Sequence, residues 1–155
     1  LINNVGSLEI NNFIDMDYAQ WDNAIKSNLY TCFLGCHEAF HHIKKQEGIK
    51  NILNVSSLSG IRFTQKFAGM SGYIASKHAI IGLTESLAVE GKEHHILVNC
   101  IAPGSINTRM FLDNFPSHQP GSTTDAVAKI GIDFCAKYCQ GAVSGCTLEL
   151  TMDSL

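Results

Sequence analysis

The sequence predicts an α/β fold, a doubly wound parallel sheet, and three observations predict it. Short apolar runs and longer amphipathic segments follow one another in the order strand, helix, strand, helix, strand, helix, strand, which parallel strands with crossover helices require. The predicted strands are followed by residues that turn the chain: Gly6, Ser56-Ser57 and Pro103-Gly104. No internal repeat, low-complexity tract or linker divides the chain, so residues 1–155 read as one domain or part of one.

Each element has its own signal. Leu1 to Gly6 reads as the end of a buried strand entering a turn, and a chain opening on Leu rather than Met is expected to have had something before it. Asp17 is a plausible N-cap for a long helix in which Trp21, Ile25, Asn28, Leu29, Cys32, Phe33, Cys36 and Phe40 recur at three- and four-residue steps to about Ile43. Lys44-Lys45 and Gly48 suit its C-terminal end, where cations oppose the dipole and glycine accepts the left-handed cap. Ile49 to Val55 reads as a buried strand, and residues 56–72, rich in Ser and Gly, as a loop. Tyr73 to about Glu90 predicts a second helix ended by Gly91, and Ile96 to Ala102 a strand stopped by Pro103-Gly104. Residues 105–124 carry two prolines and no sustained period. Asp125 to Tyr138 then resumes a helical pattern, and Cys146 to Met152 reads as a last strand.

Composition excludes several functions. Eleven basic against 14 acidic residues give a net charge of −3, with no basic stripe to neutralise phosphates, so no nucleic-acid partner is expected. No run approaches the roughly 18 apolar residues that span a bilayer, and no basic segment leads into an apolar one, so a cytoplasmic protein without membrane contact is expected. The six cysteines (32, 36, 100, 135, 139 and 146) fall in apolar segments and read as reduced, mostly buried thiols. A helix brings Cys32, Cys36, His37, His41 and His42 near one another. Neither a CxxC pair nor HExxH appears, however, and the same residues suit a half-buried helix, so no metal is expected.

In open α/β sheets ligands bind beyond the carboxyl ends of the strands. Beside one such end lies Tyr73-Ile-Ala-Ser-Lys77, opening a helix. Positions i and i+4 share a face about 6 Å apart along the axis, so an ammonium there is expected to favour phenolate and pull a phenol of pKa about 10 toward neutrality. Such a tyrosine can give or take a proton at a substrate oxygen.

Asn3-Asn4-Val5-Gly6, Asn28, Asn54-Val55-Ser56-Ser57, Tyr73-Ile-Ala-Ser-Lys77 and Ile101-Ala-Pro-Gly-Ser-Ile-Asn-Thr108 occur together, in an order that resembles the short-chain dehydrogenase/reductase family over almost the whole chain. The resemblance implies a Rossmann-like domain and an NAD(P)-dependent oxidoreductase that interconverts a carbonyl and a secondary alcohol. It implies Tyr73 as catalytic acid/base, Lys77 as the group that lowers the Tyr73 pKa and bonds the nicotinamide ribose, and Ser57 as the holder of the substrate oxygen. Asn28 would anchor a water linking Lys77 to solvent. Asn3, Val5 and Gly6 would line the adenosine side of the cofactor groove with Asn4 bracing the sheet, and Pro103, Gly104, Ile106 and Thr108 would contact the nicotinamide. A homodimer or homotetramer through the two long helices is also implied, and whether NAD or NADP is used stays open.

The departures from the family are specific. Ser57 and Tyr73 stand 16 positions apart, about three more than the family's spacing, so the loop at 62–69 is expected to bulge outward. Val5 replaces the usual alanine, and the segment after Pro103-Gly104 is short. The glycine-rich TGxxxGxG turn that receives a pyrophosphate is absent, as is the residue that reads the adenosine ribose. The resemblance therefore implies an N-terminally truncated domain, with on the order of 80 residues upstream of Leu1 at about 30 per βα unit. This chain by itself is expected to bind a dinucleotide poorly, and the alternative function is a non-catalytic remnant that serves as an assembly or interaction module.

Overall fold

The computed structural model describes residues 1–151. Four parallel strands form one sheet in the order of the sequence: β1 (Ile2–Asn3), β2 (Lys50–Val55), β3 (Ile96–Pro103) and β4 (Thr147–Leu150). The register pairs Asn3 with Asn54, Val55 with Ile101 and Pro103 with Leu150, so the carboxyl ends of the strands lie side by side.

The helices are α1 (Tyr18–Ile25), α2 (Thr31–Ile43), α3 (Ser71–Gly91), α4 (Arg109–Asn114) and α5 (Thr124–Asp133). Strand alternation sends Ile52, Ile96, Val98 and Cys100 to one face, where they pack with Cys32, Cys36 and Ile80 of α2 and α3. Leu53, Ile101 and Leu150 face the other way, onto Val127 of α5 and Phe134 beyond it. Helices thus cover both sheet faces, the doubly wound arrangement expected. All six cysteines are free; Cys32, Cys36, Cys100 and Cys139 are buried. Among the described residues no helix is long and apolar enough to cross a membrane.

Asp17 does cap α1: its carboxylate accepts from Gln20 N at 2.7 Å, and the Gln20 side chain accepts from Asp17 N at 3.0 Å, a reciprocal capping box. The single long helix expected to Ile43 is instead interrupted by one π-helical turn, Lys26–Tyr30. Side chains take over its carbonyls: Ser27 Oγ donates to Asn23 O, Asn28 Nδ2 to Ala24 O and Thr31 Oγ1 to Ser27 O, at 2.7 to 2.9 Å. Such local bonds compete with the regular ladder and bend it.

Other boundaries shift for similar reasons. Gly91 lies inside α3 with a right-handed φ of −68° rather than after it as a cap, because a Cβ there would collide with Ile96 O. The irregular stretch 105–124 contains α4, capped by the Thr108 hydroxyl accepting from Phe111 N at 3.2 Å. Helix α5 stops at Asp133 and gives way to a second π-helical turn, Phe134–Tyr138. The last strand spans Thr147–Leu150, and Met152, its expected end, lies outside the described residues.

Candidate active site

The carboxyl ends of β2 and β3 open into a cavity of about 640 Å³. Ser57, Tyr73 and Lys77 line it together, and Gly6, Pro103, Gly104, Ile106 and Thr108 complete its walls. Each is positioned by a local device. Ser56 Oγ donates to Lys77 O at 2.7 Å, and His78 Nδ1–H donates to Gly60 O at 2.6 Å, stapling the chain after β2 to α3. A Cβ on Gly60 would lie 2.7 Å from the Lys77 carbonyl carbon, so only glycine allows that approach. With Ser56 buried and committed to this staple, Ser57 is left on the cavity wall, its Oγ accepting from Ser59 N at 3.1 Å.

Tyr73 and Lys77 do share one face of α3: Lys77 Nζ lies 5.6 Å from the centroid of the Tyr73 ring. The electrostatics differ from the expectation. Burial pushes the Tyr73 phenol above its ordinary value, and the neighbouring Ser57 hydroxyl reverses part of that. Burial likewise pushes the Lys77 ammonium down, with the Cys100 and Cys32 thiols opposing. The phenolate-favouring pair expected from the YxxxK spacing is thus corrected here to a neutral phenol beside a destabilised cation, because desolvation outweighs attraction at this separation. Lys77 Nζ donates to Val55 O at 3.0 Å, which leaves donors of the ammonium for another acceptor.

Asn28 sits in the π-helical turn, fully buried. Its Nδ2 donates to Ser7 O and Ala24 O, both at 2.9 Å, and its Oδ1 accepts from Ser7 N at 3.2 Å. Gly6 separates it from Lys77: a Cβ at Gly6 would lie 2.6 Å from Asn28 Oδ1 and 3.3 Å from Lys77 Nζ. Sequence reading attached Gly6 to the cofactor groove. The structure adds a second reason for glycine, room for these two side chains.

The asparagine pair is exchanged relative to expectation. Asn3 was expected in the groove and Asn4 in the sheet, but Asn3 Nδ2 donates to Asn54 Oδ1 at 2.9 Å, and Asn54 Nδ2 to Thr84 Oγ1 at 3.0 Å, a buried polar string beneath the site. Asn4 lines the cavity instead. Val5 points to solvent, 67% exposed, and is not on the cavity wall.

The loop after β2 only half bulges. Arg62 and Phe63 point outward, with Phe63 at a left-handed φ of 65° and 95% exposed. Thr64, Gln65 and Phe67 turn back onto the cavity, where the Phe67 ring lies 6.5 Å from Phe115, itself 5.3 Å from Phe111. This aromatic wall joins two crossovers, and Phe67 was missed because nothing in 62–69 has a period that assigns a side chain to a face. Among the described residues, His118 joins the Tyr73 phenol and Lys77 as a titratable group on the cavity wall, and no carboxylate lines it.

A parallel sheet with a serine, a tyrosine and a lysine converging at its carboxyl edge defines a class of dehydrogenase-like α/β domain. A profile of the short chain dehydrogenase family matches residues 1–118, and the chain belongs to that family. Acetoacetyl-CoA reductase of Acinetobacter sp. (strain RA3849) is 39% identical over 110 residues, covering 71% of this chain and 43% of that protein. The crystal structure of acetoin dehydrogenase YohF from Salmonella typhimurium superposes with a TM-score of 0.82 at 32% identity, over 97% of this chain and 62% of that one. A 4-hydroxyisoleucine dehydrogenase complexed with NADH has a TM-score of 0.78 at 26% identity, over 99% of this chain and 67% of its own. The chain therefore spans less than two thirds of the length of the first two relatives.

Proposed function

We propose that this chain carries the proton-transfer side of an NAD(P)-dependent carbonyl–alcohol oxidoreductase, with Tyr73 as the acid/base. The observation that carries this reading is the convergence of Ser57, Tyr73 and Lys77 on one cavity at the carboxyl ends of β2 and β3. Ser57 holds the substrate oxygen within reach of the phenol. A phenol pushed up by burial is protonated at neutral pH, the state needed to donate to a carbonyl oxygen during reduction.

The residues present fit the nicotinamide end of a dinucleotide. Lys77 has spare donors for ribose hydroxyls, and Pro103, Gly104, Ile106 and Thr108 form a small-residue and apolar wall on which a flat ring can lie. When bound, the cofactor supplies or accepts the hydride. The protein's part is to orient both partners, exclude water and deliver the proton; Asn28 anchors the water through which Lys77 exchanges protons with solvent. The cofactor is NAD or NADP. We also assign the protein to the cytoplasm and to a homodimer or homotetramer paired through α2 and α3, where Phe33 and Leu34 are exposed.

The reading is tested by titrating the protein from its natural source with NADH and NADPH, following nucleotide fluorescence, and then adding ketones of increasing size. Saturable binding with ketone-dependent NAD(P)H oxidation is expected. Binding of neither nucleotide would favour the assembly-module alternative.

A further inference from the structure

The loop after β2 carries a device that proton transfer does not use. Ser57 and Tyr73 stand 16 positions apart, and the chain between them is anchored on both sides of Phe67. On one side Lys66 spends the three donors of its ammonium on the loop itself, on Ser59 O, Ile61 O and Thr64 Oγ1 at 2.5 to 2.8 Å. The Thr64 hydroxyl in turn donates to Leu58 O at 2.7 Å. On the other side Gly69 takes a left-handed φ of 78° and accepts from Asn11 N at 2.9 Å. A Cβ on Gly69 would lie 2.7 Å from Ile10 Cγ2, so this anchor requires glycine. The position of Phe67 is thus set by the fold before any substrate enters.

The Phe67 ring lines the cavity and is nonetheless 49% exposed, an aromatic surface still open to a ligand. It begins a wall that runs through Phe115 to Phe111, with the His118 ring edge-on to Phe115 at 6.0 Å. Such separations are those at which rings attract one another. The face of a ring is negative and draws the positive edge of another ring, whereas an alkyl chain gains only dispersion from it. Charge on the walls favours a neutral substrate. Among the described residues no carboxylate lines the cavity, so a cationic substrate would meet Lys77 with nothing to offset it, and an acidic one would lie against the negative ring faces.

We infer, building on the proton-transfer reading of this cavity, that Phe67 is a specificity-determining residue and that the substrate is an uncharged aryl ketone. Its ring lies on the wall of Phe67 and Phe115 while its carbonyl meets Ser57 and Tyr73. Phe67 fills this role because the long loop is folded inward and pinned by Lys66 and Gly69.

Two measurements on the intact protein test this separately from the acid/base reading. In NAD(P)H-linked reduction, kcat/KM for benzylacetone is expected to exceed that for methyl hexyl ketone, an alkyl ketone of similar hydrophobicity, by about three- to tenfold, the worth of one aromatic contact beyond the area it buries. Phe67→Leu is expected to bring the ratio to about one, and Phe67→Tyr, which restores a ring, to keep it. Saturation-transfer NMR reads contact without turnover: the ring protons of benzylacetone respond with wild type and with Phe67→Tyr, and lose most of the response with Phe67→Leu. Equal efficiency with the two ketones, or a ratio that Phe67→Leu leaves in place, overturns the aryl assignment while the acid/base reading stands. Where no ketone is turned over, that reading fails and the NMR response decides the ring site: contact that depends on Phe67 upholds it, and its absence overturns it.

Discussion

Two strand exits carry a repeated residue, Asn3-Asn4 across the end of β1 and Ser56-Ser57 just after β2, and in both the side chain of the first member is spent on the fold while the second lines the cavity. They differ in how far this could be foreseen. Strand β2 is six residues long and runs into a tyrosine-bearing helix that fixes which serine is useful. Strand β1 is two residues long within the chain, and two residues contain no alternation from which to assign a face. The lesson is that a side chain's role at a strand end is set by register: Asn3 pairs with the buried Asn54, so it shares Asn54's face and its polar string.

The serine pair gives the widest separation. Ser57→Ala is expected to cut kcat/KM about 10²- to 10³-fold, the cost of one donor at a developing oxyanion, with a stability loss of only about 0.5 kcal/mol from the bond to Ser59 N. Ser56→Ala is expected to cost about 1–2 kcal/mol of stability with a much smaller kinetic effect. Steady-state kinetics beside urea unfolding checks both, and a reversed pattern would break the comparison.

For the asparagines the split is smaller. Asn3→Ala leaves the Asn54 Oδ1 with only the weak Cys36 thiol donor and costs about 1–3 kcal/mol of stability, whereas Asn4→Ala stays within about 0.5 kcal/mol and weakens nucleotide binding instead. Equal destabilisation of the two in chemical denaturation would return Asn4 to the sheet.

Lys77 sharpens the contrast between what the fold wants and what the site needs. Its folded pKa is depressed by burial, so the charged amine costs stability at pH 7, and that cost fades as pH rises toward the ordinary lysine value near 10.4. Lys77→Met is therefore expected to stabilise the protein by about 1 kcal/mol at pH 7, with the gap closing near pH 10, while turnover is lost. Tyr73 runs the other way: its raised pKa favours the neutral phenol, a contribution present below about pH 10 and lost as pH climbs through the folded value. Unfolding curves of both proteins across pH 7 to about 10.5 test the signs.

Much of this was legible in the chain. The order of elements, the Asp17 cap and the shared face of Tyr73 and Lys77 follow from periodicity and spacing, which are local properties. What escaped was decided by contacts between distant segments. The π-helical turn at Asn28 arises partly from Asn28 reaching back to Ser7, and Gly91 is glycine because a strand passes over it. The inward fold of Thr64 to Phe67 is tied by Asn11 N donating to Gly69 O at 2.9 Å, a bond between segments far apart in sequence. The sign of the Tyr73 shift escaped for the same reason, since burial is a property of the assembled cavity and not of a YxxxK motif.

The central claim is that the Tyr73 phenol moves the proton. Its most direct test compares wild type with Tyr73→Phe in NAD(P)H-linked ketone reduction, with cofactor affinity measured in parallel. The account predicts loss of turnover with nearly unchanged affinity; reduction by the phenylalanine variant at the wild-type rate would contradict it.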